Sequence, residues 1–276
     1  LTTFGGLAML VGFVLLGHAA GTSRISEILS APPQMGPLVQ AAIVLILLGA
    51  FTKSALIPWH FWLPNAMAAP TPVSAYLHAA AMVKAGIFLV ARFAPIFHDL
   101  PLWRWSIVAF GVGTLLLGAY RALRQVDLKL LLAFGTVSQL GFITMLFGLG
   151  GRTGALAGVG MVLAHGLFKS ALFLITGAID HSTGTRDIRK LSGLRHSHPW
   201  LCALAILAAG SMAGLPPSSG FIGKFAVAGS LLGLGGWLGT TAAAAVIGSG
   251  IVLLYAGVQV WMSYFWGDPG RLRKAE

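Results

Sequence analysis

Residues 38–64 read LVQAAIVLILLGAFTKSALIPWHFWLP, and this stretch decides the fold. Its first part is apolar and long enough to enter a bilayer as a helix, but Lys53 interrupts it and Pro58 and Pro64 follow. Proline removes an amide hydrogen and clashes with the preceding turn. In a membrane, the carbonyls freed in this way must be buried in protein or line a wet cavity. The stretch therefore predicts a membrane helix that breaks close to a buried cation.

The composition of the whole chain is that of an integral membrane protein. The chain is 57% hydrophobic and 9% charged, with a mean hydropathy of +0.85, whereas an ordinary soluble domain carries about 25% charged residues. Long unbroken apolar runs favour helices over a β-barrel, whose strands alternate every second residue. The net charge of +11 is assigned to loop cations that set topology, so no nucleic-acid partner is expected. Cys202 is the only cysteine, which excludes an internal disulfide and a cysteine-rich metal site.

The apolar runs predict an all-α fold, a polytopic transmembrane helix bundle with two broken helices. The second break, GLPPSSG at residues 214–220, lies just before Lys224. Two corresponding broken helices are typical of inverted-repeat transporters. The chain begins at a span without an initiator Met, so we expect residues 1–276 to be a single module, truncated at its N-terminus and at its C-terminus. We predict about eight spans, at about residues 3–20, 38–57, 72–93, 104–121, 128–149, 153–178, 199–215 running on into 219–234, and 238–265.

Four lysines lie inside these predicted spans: Lys53, Lys84, Lys169 and Lys224. A lysine at membrane depth costs about 2.5–3.5 kcal/mol even on a lenient insertion scale. No Asp or Glu lies in the apolar centre of any span to offset that cost. Because a buried amine without a counter-ion gives up its proton readily, the four lysines predict a proton path through the membrane.

Two histidines accompany these lysines. His165 and Lys169 are four residues apart, so they stack on one helix face, and a neutral imidazole that accepts and passes on a proton suits a His–Lys relay. The alternative is a histidine bonded to a neighbouring helix and a lysine that snorkels to the interface. Lys169 lies near mid-span, which favours the relay.

His78 and Lys84 are six residues apart on the third predicted span. That separation places them on different faces of a continuous helix, so they are not expected to share a partner. We expect His78, close to the proline-rich segment 70–72, to gate the broken helix that carries Lys53. For Lys84, a structural role and a place on the path are both left open.

Loop charges predict the orientation. One face has four cations, Arg24, Arg92, Arg104 and Arg152, and the opposite face has ten. The four lysines inside the spans are assigned to neither face. The positive-inside rule therefore predicts a cell-membrane protein with both ends of the chain in the cytoplasm. The opposite face has ten of the eighteen cations: Arg121, Arg124, Lys129, Arg186, Arg189, Lys190, Arg195, Arg271, Arg273 and Lys274.

The other polar groups have ordinary interpretations. Asp127 and Lys129 open the fifth predicted span and are typical of a helix N-cap and a solvated basic turn. His196 and His198 are two residues apart without an evident third ligand, so no metal site is expected. The sequence contains no Gly-rich phosphate loop leading into a helix and no nucleophile–base pair. We therefore expect a transporter without a cofactor rather than an enzyme.

The residues around both breaks resemble the signature of the proton-translocating antiporter-like subunits of respiratory complex I and of Mrp-type multisubunit sodium/proton antiporters. Within that family, the runs at 76–78, 82–86, 179–181 and 184–194 most resemble the large A subunit of Mrp antiporters. The resemblance covers nearly the whole chain, and its main runs are 53–55, 58–67, 70–80, 82–86, 127–129, 136–141, 165–174, 214–217, 220–221 and Lys224.

The resemblance implies a proton-translocating subunit of a multisubunit Na⁺/H⁺ antiporter. Its partners would be the other subunits of a hetero-oligomeric complex, the lipid bilayer, protons and Na⁺. Lys53 would be the key lysine of the first broken helix. The candidate site residues of the proton path are Lys53, His78, Lys129, His165, Lys169 and Lys224.

Two alternatives stay open at this point. One is a membrane-arm proton-pumping subunit of an NADH:quinone oxidoreductase or a related hydrogenase complex. The other is a silent scaffold, which three departures from the family pattern allow. Met161 replaces a frequent second histidine, Phe225 replaces an acidic residue, and the glutamate that pairs with the first broken-helix lysine lies upstream of Leu1 in the family.

Overall fold

The computed structural model describes residues 1–79, 81–149, 152–233 and 235–266. Within these ranges the chain is helical, and an isolated bridge between Asp127 and Asp187 is the only β pairing, so the predicted all-α class is confirmed. The α-helices are, in chain order, α1 (Thr2–Ala20), α2 (Ile25–Ser30), α3 (Pro37–Lys53), α4 (Trp62–Asn65), α5 (Thr71–Ala79), α6 (Lys84–Phe97), α7 (Pro101–Leu123), α8 (Leu128–Gly148), α9 (Arg152–Thr183), α10 (Leu194–Ser197), α11 (Pro199–Ala213), α12 (Ser219–Gly233) and α13 (Gly236–Trp261).

Local sequence explains where several of these helices begin. Proline occupies the first turn of α3, α7 and α11, where its fixed φ suits a helix and its missing N–H is not needed. Asp127 caps α8, because its Oδ1 accepts hydrogen bonds from the N–H of Lys129 at 2.8 Å and of Leu130 at 3.1 Å. The predicted N-cap at Asp127 is therefore confirmed.

The predicted spans correspond to long helical stretches and to shorter helices. Within the described residues, six helical stretches are long and apolar enough to cross a membrane. The shorter helices α3, α11 and α12 have 17, 15 and 15 residues, because the two predicted breaks stop α3 at Lys53 and α11 at Ala213. The six long stretches are Thr2–Ala20, Thr71–Phe97, Pro101–Leu123, Leu128–Gly148, Arg152–Thr183 and Gly239–Trp266.

The third predicted span, residues 72–93, lies within the stretch Thr71–Phe97, but this stretch is two helices rather than one continuous helix. α5 ends at Ala79, and α6 begins at Lys84. Between them the N–H of Ala81 donates to the carbonyl of Tyr76, five residues back, at 3.3 Å, which is a wider turn than an α-helix makes. Residues 80–83 contain neither proline nor glycine, so no local signal marks this break.

Helix α8 is the buried axis of the bundle. All of its residues except Leu130 and Phe147 are buried, and α4, α6, α7, α9, α12 and α13 all contact it. Its packing against α7 brings the two backbones together, since a Cβ added at Gly118 would lie 2.4 Å from the nitrogen of Ser138. Small residues allow this closeness between membrane helices. Helices α7 and α8 therefore pack closely against each other, and α9 packs against α8.

At one end of the bundle, the loop after α9 folds back onto the α7–α8 turn. We call residues 184–193 the docked loop. The carbonyl of Arg186 accepts hydrogen bonds from the N–H of Leu128 at 3.2 Å and from the hydroxyl of Tyr264 at 2.6 Å. The N–H of Ile188 donates to the carbonyl of Val126 at 2.9 Å. Main-chain groups therefore fix the docked loop to α8 and to the π-helical turn Met262–Trp266 that follows α13.

The opposite end of the bundle is held by tryptophans. The indole N–H of Trp103 donates to the carbonyl of Gly148 at 2.6 Å, and Trp105 packs against Trp237 with ring centroids 5.4 Å apart. These contacts place the start of α7, the end of α8 and the start of α13 together. Of the ten cations assigned to the docked-loop face, Arg271, Arg273 and Lys274 lie outside the described residues.

Candidate functional site: a buried row of amines and imidazoles

Helix α9 carries two titratable side chains on its protein-facing side. His165 and Lys169 are both 0% exposed, whereas Leu163 and Leu167 on the other side of the helix are 65% and 72% exposed. The two residues therefore share the buried face, as their spacing predicted. Lys169 Nζ donates to the carbonyl of Leu132 on α8 at 3.0 Å.

The position of Lys169 depends on a glycine of α8. A Cβ at Gly135 would lie 3.0 Å from Lys169 Nζ, so a larger side chain there would crowd the amine. The alternative that Lys169 snorkels to the interface is wrong, because the whole side chain is buried and its Nζ ends at a helix carbonyl.

His78 and His165 add imidazoles to this site. Both are 0% exposed, and their ring nitrogens have no hydrogen-bond partner in the part of the chain that the structure describes. His78 lies against Phe173 with ring centroids 5.2 Å apart, and His165 lies against Phe168 at 5.5 Å. Each ring is thus held by packing against a phenylalanine, and its nitrogens are not occupied by other groups of the described chain.

His165 is the meeting point of several groups. Lys84, Lys169 and His78 all lie within electrostatic range of it. His78 and Lys84 share no hydrogen-bond partner among the described residues, since Lys84 donates to Val162 and the His78 ring nitrogens have none, yet both lie near His165. The six-residue spacing was applied to a continuous helix, whereas the break between α5 and α6 lets both side chains approach α9.

Lys84 joins the site through the main chain of α9. Its Nζ donates to the carbonyl of Val162 at 2.9 Å, and a Cβ at Gly166 would lie 3.3 Å from that nitrogen. The sequence left the role of Lys84 open, because it marks neither the helix break before Lys84 nor the contact with the carbonyl of Val162 on α9.

Lys224 lies at the second helix break. Its Nζ donates to the carbonyls of Met212 at 2.9 Å and of Ala213 at 2.7 Å. These are carbonyls at the C-terminal end of α11, where Gly214 takes a left-handed φ of 87° and the helix stops. A helix end leaves such carbonyls without intrahelical partners. Lys169 lies within electrostatic range of Lys224, so the second break connects with the α9 site.

Lys53 lies at the first break, but its surroundings differ. It is the last residue of α3 and is half-buried. Other groups hold this break: the N–H of Ile57 donates to Thr114 Oγ1 at 3.0 Å, and the indole N–H of Trp62 donates to the carbonyl of Thr52 at 3.0 Å. Among the described residues, Lys53 makes no hydrogen bond or ion pair, so these contacts do not join it to the other lysines.

Lys129 is buried although it begins a helix. It is 1% exposed, and its Nζ donates to the carbonyl of Ala69, just before α5. The prediction of a solvated basic turn is therefore wrong for Lys129, and it does not belong among the loop cations. His78 lies within electrostatic range of Lys129. We call Lys129, His78, Lys84, His165, Lys169 and Lys224 the buried row, although Lys84 and Lys224 are half-buried.

The four lysines of the row donate to main-chain carbonyls rather than to carboxylates. A carbonyl stabilises an ammonium without the full negative charge that would hold its proton in place. Within the described residues, no group of three His, Cys, Asp or Glu side chains could hold a metal ion.

Comparison with known proteins gives matches of one kind. The sequence model for "NADH:quinone oxidoreductase/Mrp antiporter, TM" matches residues 1–251. The A subunit of the Na⁺/H⁺ antiporter of Alkalihalophilus pseudofirmus is 49% identical over 240 residues, which are 81% of this chain and 30% of that protein. The A/B subunit of the probable K⁺/H⁺ antiporter of Rhizobium meliloti is 50% identical over 226 residues, 81% of this chain and 23% of that protein.

A solved structure agrees with these sequence matches. One chain of the Mrp complex from Dietzia sp. DQ12-45-1b is similar in structure with a TM-score of 0.88 and 39% sequence identity. The match covers 99% of this chain and 31% of that chain. The present chain therefore spans about a quarter to a third of the length of these relatives.

Proposed function

This chain belongs to the transmembrane family of NADH:quinone oxidoreductases and Mrp antiporters, and from that premise we propose that it is a proton-translocating module of a multisubunit monovalent cation/proton antiporter. Residues 1–276 would act as one module within a longer subunit. Its partners would be the other subunits, the lipid bilayer, protons and Na⁺.

The buried row is the observation that carries this proposal. Electrostatic neighbours link Lys129 to His78, His78 and Lys84 to His165, His165 to Lys169, and Lys169 to Lys224. This sequence contains both amines and imidazoles, and both kinds of group exchange protons. Since charges repel strongly at low effective dielectric, a proton that arrives at one group favours release from the next.

The transported cation is proposed from the relatives. One is named for Na⁺ and another for K⁺, so the shared chemistry is exchange of a monovalent cation for protons. We take Na⁺ as the first candidate, because the relatives named for it include the A subunits of more than one antiporter.

We also propose the orientation and the location. The docked loop and the C-terminal end of α7 lie on the cation-rich face, which the positive-inside rule places in the cytoplasm. Both ends of this chain would then be cytoplasmic, in the cell membrane.

Lys53 is proposed to act at the first broken helix, separately from the row. Its half-buried amine lies at the C-terminal end of α3, where the last carbonyls of a helix lack intrahelical partners. A role there is consistent with the family signature, in which Lys53 matches the key lysine.

The second candidate function is a membrane-arm subunit of an NADH:quinone oxidoreductase, because the family description covers both kinds of complex. In that setting the same path would be driven by redox work elsewhere. The likeness to a chain of the Mrp complex favours the antiporter.

Everted membrane vesicles that contain the full complex test the proposal. Internal pH would be followed with a fluorescent dye while NaCl, KCl or choline chloride is added, and separately while NADH is added. We expect Na⁺ or K⁺, but not choline, to drive proton movement, and Lys169→Gln to abolish it. Lys190→Gln, an exposed cation of the docked loop, is the matched control and should behave like wild type.

Two results would overturn the assignment. Proton movement that requires NADH and ignores the added cation would support the oxidoreductase instead. Cation-driven movement that Lys169→Gln leaves intact would reduce this module to a scaffold.

A further inference from the structure

A charged cluster lies where the buried row approaches the docked loop. Arg186 contacts two carboxylates: its Nε lies 3.3 Å from Asp127 Oδ2, and its Nη1 lies 3.7 Å from Asp180 Oδ2. The three side chains are 34%, 29% and 35% exposed, so they stand at the border between water and the bundle. We call these three residues the Arg186 clip.

Lys129 adjoins the clip, since its main-chain N–H donates to Asp127 Oδ1 at 2.8 Å. On its outer side, Arg186, Asp127 and Asp180 are its charged neighbours. On its inner side, His78 is within electrostatic range. Among the described lysines of the row, Lys129 is the one with carboxylates this close, so it is the one at risk of being held permanently as an ammonium.

Asp180 also continues the polar face of α9. It follows Lys169 by roughly three helical turns, which puts both on the same side of the helix. Thr176, on that side as well, is 1% exposed. A line of polar side chains thus runs along α9 from His165 to the border with water.

We propose that Arg186 is a positioning residue that sets the charge of Lys129. By holding Asp127 and Asp180 in an ion cluster, it keeps either carboxylate from pairing with Lys129, which stays free to exchange protons between water and His78. The inference rests on the proposed function, since it assumes that Lys129 is on the proton path.

The structure separates this side-chain role from the folding of the loop. The carbonyl of Arg186, not its guanidinium, accepts the hydrogen bonds from Leu128 and Tyr264. Substitution of Arg186 therefore leaves the main-chain contacts of the docked loop in place and removes only the charge and its two ion pairs.

Arg189 provides a matched control three residues further on. Its guanidinium is 69% exposed and forms hydrogen bonds to Asp187 of 2.8 and 3.0 Å. Those bonds lower the pKa of the Asp187 carboxyl to about 2. Neither Arg189 nor Asp187 is among the electrostatic neighbours of Lys129, so Arg189→Gln breaks an equivalent ion pair without reaching the row.

The test measures cation-driven proton movement against pH in vesicles that contain the full complex. Arg186→Gln removes a cation near Lys129 and leaves Asp127 and Asp180 without their guanidinium partner, and both changes favour the ammonium of Lys129. The pH at which exchange falls to half on the alkaline side should rise by about one unit. Asp180→Asn should lower it by a similar amount, and the double variant should return close to wild type. Arg186→Lys and Arg189→Gln should keep the wild-type profile.

Lys129→Ala separates failure of this inference from failure of the proposed path. Normal exchange in Lys129→Ala would mean that Lys129 is not on the path, and the proposed function would fail there. The role of Arg186 alone would be overturned by a different pair of results. In that case Lys129→Ala would lose exchange, but Arg186→Gln and Asp180→Asn would fall to half exchange at the same alkaline pH as wild type. An equal shift in Arg189→Gln would also overturn it, because the effect would then belong to the loop charge in general. If the complex with Arg186→Gln fails to assemble, Asp180→Asn tests the inference instead, because it is expected to lower the alkaline pH of half exchange.

Discussion

Replacing His165 and Lys169 by alanine, singly and together, tests whether the two act as one unit. Both are fully buried on one face of α9. Residues four apart on a helix lie about 6 Å from each other. At an effective dielectric of about 20, two positive charges at that distance repel by about 3 kcal/mol, which is roughly a hundredfold in population. The pair therefore carries one proton at a time, and each member depends on the other to pass it on.

Loss of either link should lower exchange by about a hundredfold, the usual size of a lost proton-transfer group. Once one member of a relay is lost, losing the other has no further effect, so exchange in the double variant should also be about a hundredfold lower than in wild type. Two independent defects would multiply instead, to about ten-thousandfold.

The assay is cation-driven proton movement in everted vesicles with equal amounts of assembled complex. Leu172→Ala is the control, because it removes a buried apolar side chain from the same helix without removing a titratable group. His165→Gln should be as impaired as His165→Ala, since an amide does not accept and release a proton at neutral pH. Multiplied defects in the double variant would refute the relay, and near-normal exchange in His165→Gln would leave Lys169 as the proton carrier.

Three further outcomes are expected. Lys53→Ala should abolish exchange without reducing the amount of protein in the membrane, because removing a charge inside a span relieves a cost; normal exchange would mean that Lys53 is not on the path. In a Cys202→Ala background, a cysteine at Arg189 should react with an impermeant reagent only after the membrane is made leaky, and a cysteine at Arg104 should react in intact cells; the reverse pattern would overturn the orientation. Gly118→Ala should destabilise the complex by about 1–3 kcal/mol, since its Cβ would lie 2.4 Å from the Ser138 nitrogen. Gly160→Ala is the control, because its Cβ meets no atom within 4 Å. Equal melting temperatures of the two variants would contradict that packing.

The sequence predicted the features that depend on composition and local chemistry. Apolar runs identify the spans, proline and glycine identify the breaks after Lys53 and before Lys224, and a four-residue spacing places His165 with Lys169. Asp127 was recognised as a helix cap from its position alone. These signals act within one turn or one helix, so a single sequence contains them.

Features that depend on distant parts of the chain were missed. The α5–α6 break has no proline or glycine, so the convergence of His78 and Lys84 near His165 was not predicted. Lys129 follows an N-cap and so resembles a solvated turn, but the carbonyl of Ala69 and the docked loop enclose it. Lys224 was recognised as a lysine inside a span, whereas its two carbonyl partners on α11 were not, because they depend on the path of the chain through the second break.

Replacing Lys224 by glutamine tests the central claim that the buried row carries protons. The glutamine amide can still donate hydrogen bonds to the carbonyls of Met212 and Ala213, so the helix break keeps a donor and only the titrating amine is lost. The measurement is the initial rate of proton flux driven by an imposed Na⁺ gradient in proteoliposomes that contain the full complex, with Lys190→Gln as the control. The account predicts that Lys224→Gln stops the flux while Lys190→Gln sustains it. Equal flux in the two variants and in wild type would contradict it.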